Sequence, residues 1–198
     1  MSTPAPAFTP NFHHDYSVIL SHPISQVFPI LGTSEGHERV CRLSELCSGF
    51  ELLQTDTVTI PQSLALSDIH ARTLPSSPLE EQNVFDVGPT RKLPRQFFKL
   101  QETVPVLFGL IHSEVHLTGT LTWDKDVKTA LYESQTEQGI QVWKLRKMEV
   151  VEGSKTKVTE RLEGVCSKLL RPIVQKEAAK GHAAHMESYH TLFGEAKP

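Results

Sequence analysis

The last third of the chain limits the possible folds more than any short motif does. Strand-type alternation runs from Thr129 to Cys166 and passes directly into one amphipathic stretch, Ser167 to Phe193. A helix of about 27 residues is roughly 40 Å long at 1.5 Å per residue, enough to cross the face of a small curved sheet. A helix of that length after sheet sequence can close a pocket against the sheet.

The strands upstream are consistent with this. Val115, Leu117, Gly119, Leu121 and Trp123 share one face of a strand, and Glu114, His116, Thr118, Thr120 and Thr122 share the other. This period of two marks a half-buried strand. Five strand candidates follow one another: Phe97 to Val106, His112 to Asp124, Thr129 to Thr136, Gln141 to Val151 and Lys155 to Cys166. The short turns between the later ones make neighbouring strands antiparallel. Earlier, Tyr16 to Leu20 reads as a first strand, stopped at Pro23. Two short helices follow, one carrying Ile24, Val27, Phe28 and Leu31, and one over Glu38 to Cys47 with Val40, Leu43 and Cys47 on one face. Phe50 to Ile60 is a second strand ending at Pro61.

Residues 61–95 carry five prolines among serines and glycines, predicting an irregular stretch with a strand around Leu64 to His70 and the character of a lid or a surface loop. Residues 1–13, rich in Pro, Ala and Thr, bury too little to offset ordering entropy and are expected to be a mobile tail, with one domain over 14–194. The 198 residues suit a single core.

Charge and cysteine usage exclude several classes. A net charge of −3 with scattered Lys and Arg lacks the basic excess that a nucleic-acid backbone requires. Cys41, Cys47 and Cys166 have neither zinc spacing nor an even count for disulfides, so the chain is expected in the reducing cytoplasm with no metal. No apolar run is long enough to span a membrane. Motifs for nucleotide, phosphate and standard hydrolase chemistry are missing, and no cofactor is called for.

These elements, carried by YSVILSHPISQVFPIL, RQFFKLQETVPVLFG, HLTGTLTWD and TKVTERLEGVCSKLLRPIVQKEAAKGHAAHMESYHTLF, resemble the helix-grip fold of the START/Bet v1-like superfamily, also called SRPBCC. The likeness covers residues 15–193 and departs from the usual pattern in the Pro-rich stretch 61–95. It implies an α+β fold: a curved antiparallel sheet wrapped around a long C-terminal helix, two short helices after the first strand, and an internal cavity. The superfamily spans lipid carriers, hormone receptors, polyketide cyclases and other natural-product enzymes, and its fold alone does not choose among them.

Periodicity names the residues that such a cavity would use. Ala178, His182, Met186, Tyr189 and Phe193 lie on one stripe of the last helix, with His185 at its edge. His182 is a candidate acid/base, or a histidine bonded within the core. Glu102 and Glu160 each sit on an apolar strand face, as raised-pKa acids or as structural partners of Lys144, Arg146, Lys147 or Arg161. Tyr132 and Tyr189 bring orienting hydroxyls, while Phe98, Phe108 and Trp143 are aromatic wall candidates. The catalytic set is therefore His182, Glu160, Glu102 and Tyr132, and the ligand-contacting set is Phe98, Phe108, Trp143, His185, Met186 and Tyr189. Two classes follow: a carrier or receptor for a hydrophobic lipid, polyketide or terpenoid-like molecule, and a cofactor-independent cyclase, isomerase or dehydratase. The chain is expected as a monomer or homodimer.

Overall fold

A computed structural model describes residues 8–76, 89–106 and 111–194. Seven antiparallel strands form one open sheet in the order β1-β7-β6-β5-β4-β3-β2. They are β1 (Phe12–Leu20), β2 (Cys47–Pro61), β3 (Thr90–Val106), β4 (Ile111–Asp124), β5 (Thr129–Thr136), β6 (Gln141–Val151) and β7 (Lys155–Val165). Helices α1 (Ile24–Gly32) and α2 (Ser34–Cys41) follow β1, and α3 (Arg171–Glu187) crosses the inner face and continues as a 3-10 turn, Ser188–Phe193. Among the described residues, no helix is long and apolar enough to cross a membrane.

Three boundaries differ from the sequence expectation, each for a physical reason. β1 starts at Phe12, inside the stretch expected to be a tail, because the Phe12 ring is buried over Gly164 of β7 and Asn11 bonds the chain around Cys166. α2 starts at Ser34, earlier than expected, because the Thr33 hydroxyl accepts from the Glu35 N–H at 3.2 Å and caps the helix. The same hydroxyl donates to the Pro29 carbonyl at 2.7 Å, so one side chain ends α1 and begins α2. α3 starts at Arg171 with Pro172 in its first turn, where the missing N–H costs nothing.

Both faces of the sheet carry a core. On the inner face Val18, Leu20, Val27, Phe28, Leu31, Val158, Met186 and Tyr189 pack α1, α3 and its 3-10 extension against β1, β6 and β7. Each such side chain contributes about 1.5–3 kcal/mol on burial. On the outer face Val58, Ile60, Leu93, Leu131, Trp143 and Leu145 pack beneath Leu66 and Ala71. The segment supplying those two residues holds 3-10 turns at Leu66–Asp68 and Ala71–Thr73, where a strand was expected. Arg95, 1% exposed, clamps it: its guanidinium binds Asp56 at 2.8 and 2.6 Å and donates to the Ala71 and Leu74 carbonyls at 2.6 and 2.9 Å. Trp143 Nε1–H donates to the Ile69 carbonyl at 3.1 Å, and Glu133 accepts from the Arg72 N–H at 2.7 Å. As far as residue 76, then, part of the stretch expected as lid or loop is a packed cover on the outside of the sheet.

Gly119 on β4 lies where sheet and aromatic core are tightest. A Cβ there would sit 2.3 Å from Phe98 Cζ and 2.6 Å from the Glu133 carbonyl, and the backbone atom cannot swing away. Gly119→Ala is expected to lower stability in urea unfolding by about 1–3 kcal/mol, and an unchanged midpoint would show that the strands there are looser than this packing.

Candidate functional site

Alternation along β5, β6 and β7 decides which side chains turn inward. Tyr132, Lys144, Arg146, Glu160 and Leu162 face α3, whereas Trp143 and Leu145 face outward into the second core. Between this wall and α2 and α3 lies a cavity of about 250 Å³. Its apolar lining includes Val40, Leu100, Leu121, Ala130, Val142 and Leu162, and its polar groups include Glu102, Lys144, Arg146, His182 and His185. α2 turns His37, Val40 and Cys41 into it, with Ser44 just beyond, at the i, i+3, i+4, i+7 spacing of one helical face. Ser44, Gly181 and His185 also border an outer depression, so these residues stand between the cavity and the surface at the α2–β2 turn and α3.

Beneath the cavity floor is a buried ionic network centred on Glu160, which is fully enclosed. Its Oε1 accepts from Arg146 Nε at 2.5 Å and from the Tyr189 hydroxyl at 2.6 Å. Its Oε2 accepts from His182 Nε2 at 2.9 Å, with Lys144 Nζ at 3.5 Å. Arg146 also donates to the Leu31 carbonyl at the end of α1 and, at 2.6 Å, to the Tyr189 oxygen. Burial opposes charge on Glu160, but Arg146, Lys144 and the His182 bond outweigh it and hold the carboxyl well below the usual carboxylate range. Burial likewise opposes the Arg146 charge, and Glu160 overcomes it, raising the guanidinium pKa.

An ionised carboxylate only accepts, so His182 Nε2 carries the hydrogen toward Glu160. On the other side of the ring, His182 Nδ1 lies 3.0 Å from His14 Nδ1 on β1. Both nitrogens of His182 are therefore bound to protein groups, and the ring meets the cavity as part of a Glu160–His182–His14 chain. As an acid/base it would act through His14 or Glu160.

The remaining candidates separate clearly. Glu102 lines the cavity, and burial raises its pKa against the opposing charge of Lys144. Tyr132 lines it too, with burial first among the causes that keep its hydroxyl protonated far above the usual range. Lys144 Nζ lies 4.8 Å from the centre of the Tyr132 ring. His185 borders the cavity with Nε2–H donating to the Val40 carbonyl at 2.8 Å, and its pKa falls to about 4, first through burial and then through Lys144. Met186 and Tyr189 belong to the inner core, and Phe98 stacks behind the lining against Phe50, His37 and Tyr132. Trp143 is corrected to the outer face, because β6 alternates and Lys144 takes the inward position. Phe108 lies outside the described residues.

His37 and Cys41 were not singled out as lining. Cys41 Sγ is 3.7 Å from His37 Nε2; burial pushes the thiol up to about 12 and, with Arg146 and Lys144 adding to it, the imidazole down to about 3. Both are neutral at pH 7, so the pair lacks the thiolate that a nucleophile needs. The i, i+4 spacing of His37 and Cys41 beside Val40 was the available signal, hidden by the misplaced start of α2. Among the described residues, no three His, Cys, Asp or Glu side chains gather as metal ligands.

No family model matches the chain, and no curated protein matches it in sequence. Solved structures do match it in fold. It is similar to a Thermus thermophilus protein with TM-score 0.57 and 11% identity, covering 93% of this chain and 99% of the other. The Zhui aromatase/cyclase from a Streptomyces species matches with TM-score 0.52 and 11% identity, covering 93% and 98%. A START superfamily protein from Mycobacterium smegmatis matches with TM-score 0.51 and 7% identity, covering 91% and 95%. The START-like helix-grip fold expected from the sequence is the fold of this chain.

The buried histidines set the acid response. Below pH 6.5 the unfolded chain protonates His37 and His185, while the folded chain resists until about pH 3 and about pH 4 respectively. Glu160 acts in the same direction, since its depressed pKa supplies stability present at neutral pH and lost as pH falls through and below the ordinary carboxylate range. Urea unfolding at stepped pH is expected to show stability falling from pH 7 toward pH 4, with a slope near pH 5 approaching two protons taken up per molecule unfolded, roughly 2–3 kcal/mol per pH unit. His185→Gln should reduce that slope by one proton; a flat profile in the parent protein would contradict the buried, neutral state of both rings.

Proposed function

We propose that this protein binds a compact, predominantly apolar small molecule, of the lipid, polyketide or terpenoid kind, in the cavity beneath α3, with a carbonyl or carboxylate end turned toward Lys144. The observation that carries this reading is the cavity itself: an apolar chamber of about 250 Å³ with charged groups at its floor. That volume lies just below the roughly 300–1,000 Å³ of sites for drug-sized ligands, which favours a compact molecule. Charge supports an acceptor group on the ligand. Arg146 and Lys144 are two cations beside one depressed carboxylate, Glu160, and the raised pKa of Glu102 moves that group toward its neutral form. Arg146 has a protein partner at each of its three nitrogens, whereas Lys144 keeps a contact of 3.5 Å to Glu160 and has donors to spare for a ligand oxygen.

Naphthalene-2-carboxylate is a suitable probe, with naphthalene as its uncharged counterpart. Calorimetric titration is expected to show the carboxylate binding more tightly, and Lys144→Met, which keeps the side-chain volume, should erase that preference, a loss of roughly tenfold. Ala178→Phe and Leu162→Phe, each filling the chamber from a different wall, should both abolish binding while leaving the far-UV circular dichroism unchanged. Undiminished affinity in both would place the probe elsewhere and overturn the reading.

A cofactor-independent cyclase, isomerase or dehydratase is the second reading, and Glu102 is what favours it. A cavity-lining carboxyl with a raised pKa suits proton transfer at a carbon next to a carbonyl. In this version Glu102 moves the proton, Lys144 holds the developing oxyanion and the Tyr132 hydroxyl orients the carbonyl. Glu102→Gln is then expected to keep ligand affinity and to lose turnover of an identified substrate by about 10²–10⁴-fold; equal turnover would remove Glu102 from the chemistry.

A further inference from the structure

The approach to α3 carries two features that folding does not account for. Leu169, Leu170 and Ile173 are 88%, 40% and 64% exposed, so three of the nine large apolar side chains exposed among the described residues fall within five positions. Lys168, Arg171, Lys176 and Lys180 surround them, with Glu177 as the single carboxylate between Ser167 and Lys180, in a chain whose net charge is −3. Ile173, Lys176 and Lys180 recur at helical spacing on one side of α3, with Leu169 in the turn that leads into it, and Val174 and Ala178 on another side pack toward Phe12 and Leu162. The N-terminus of a helix carries partial positive charge, which makes Lys168 and Arg171 unfavourable there. α3 has no acidic residue in its first turn to offset them, and the group that meets the approach to the helix is the neutral Ser167 hydroxyl, which accepts from the Leu170 N–H at 3.4 Å. The misplaced cations therefore cost stability in the isolated chain, and the exposed apolar groups add no burial free energy to its fold.

We propose that the segment from Lys168 to Lys180 docks the protein on an anionic lipid surface. Leu169 and Ile173 enter the headgroup region, and Lys168, Arg171, Lys176 and Lys180 meet the lipid phosphates and carboxylates. Long basic side chains keep their charged ends at the interface while their stems follow the apolar groups inward. The helix N-terminus and the cations add in the same electrostatic sense. The patch presents a ridge with a charged border, which suits a fluid surface that closes around it.

The position of the patch gives docking a purpose. Ala178 and Gly181, which line the cavity, follow Ile173 on the same helix by about 8–12 Å of rise. A docked α3 brings the depression at Ser44 and Gly181 close to the bilayer, so that an apolar ligand crossing there between membrane and cavity meets little water. This last step rests on the cavity reading; docking does not.

Co-sedimentation of the full chain with vesicles of phosphatidylcholine, alone or with about 30% phosphatidylserine, tests the proposal. The parent protein is expected to bind the serine-containing vesicles roughly tenfold more tightly and to be released by added salt. The double variant Leu169→Glu/Ile173→Glu should lose binding to both vesicles, and Lys168→Glu/Arg171→Glu should lose the preference for phosphatidylserine. Both are surface changes, and both should keep naphthalene-2-carboxylate binding, so a failure of docking reads separately from a failure of the cavity. Equal sedimentation of parent and Leu169→Glu/Ile173→Glu, or absence of binding by the parent protein, overturns the proposal. So does a dimer in analytical ultracentrifugation that the same variant dissolves, since the patch would then belong to a second copy of the chain.

Discussion

The buried pair of Arg146 and Glu160 holds the inner half of the molecule together. Its two residues lie opposite each other on β6 and β7, and through them α1 is tied at the Leu31 carbonyl, α3 at His182 and its 3-10 extension at Tyr189. Two charges taken out of water at such a site are costly, and mutual attraction offsets that only when the remaining donors and acceptors are also met. Here they are met by groups from four separate elements. Strand register, helix placement and the tautomer of His182 are thus linked through a single carboxylate, and alternative packings would leave at least one buried charge unpaired.

The same network determines which groups are free to meet a ligand. Glu160, His182 and Tyr189 spend their bonding capacity on one another, so they shape the floor and fix its charge. Glu102, Tyr132 and Lys144 have fewer protein partners and line the chamber directly. The division follows from depth: the deeper groups have to be satisfied by protein, because water does not reach them.

Much of this was legible because it depends on short-range periodicity. The inward position of Glu160 between Val158 and Leu162 and the stripe of His182, Met186 and Tyr189 are local patterns that hold in the structure, whereas the alternation in β4 marks its two faces but not their burial, because Thr120 and Thr122 on the face expected to be open are fully buried. What was hidden depends on contacts distant in sequence. β1 reaches back to Phe12 because Gly164, some 150 residues later, leaves room for the ring. Trp143 turns outward because a Pro-rich segment with no periodicity of its own supplies the second core that receives it. The bonds of His182 to both Glu160 and His14 required strand partners that alternation alone does not specify.

The outer cover has a mechanical consequence. With Arg95 and Trp143 bonded to the segment that lies across the sheet, the centre of the sheet is supported from behind and is the rigid wall of the chamber. Changes in chamber volume then fall to the opposite wall, where the first turns of α3 bury little apart from Val174 and Ala178. By that packing, β5 and β6 are enclosed on both faces, whereas the start of α3 is held on one side. The chamber thus has one wall braced on both faces, which carries the charge, and one wall held from a single side.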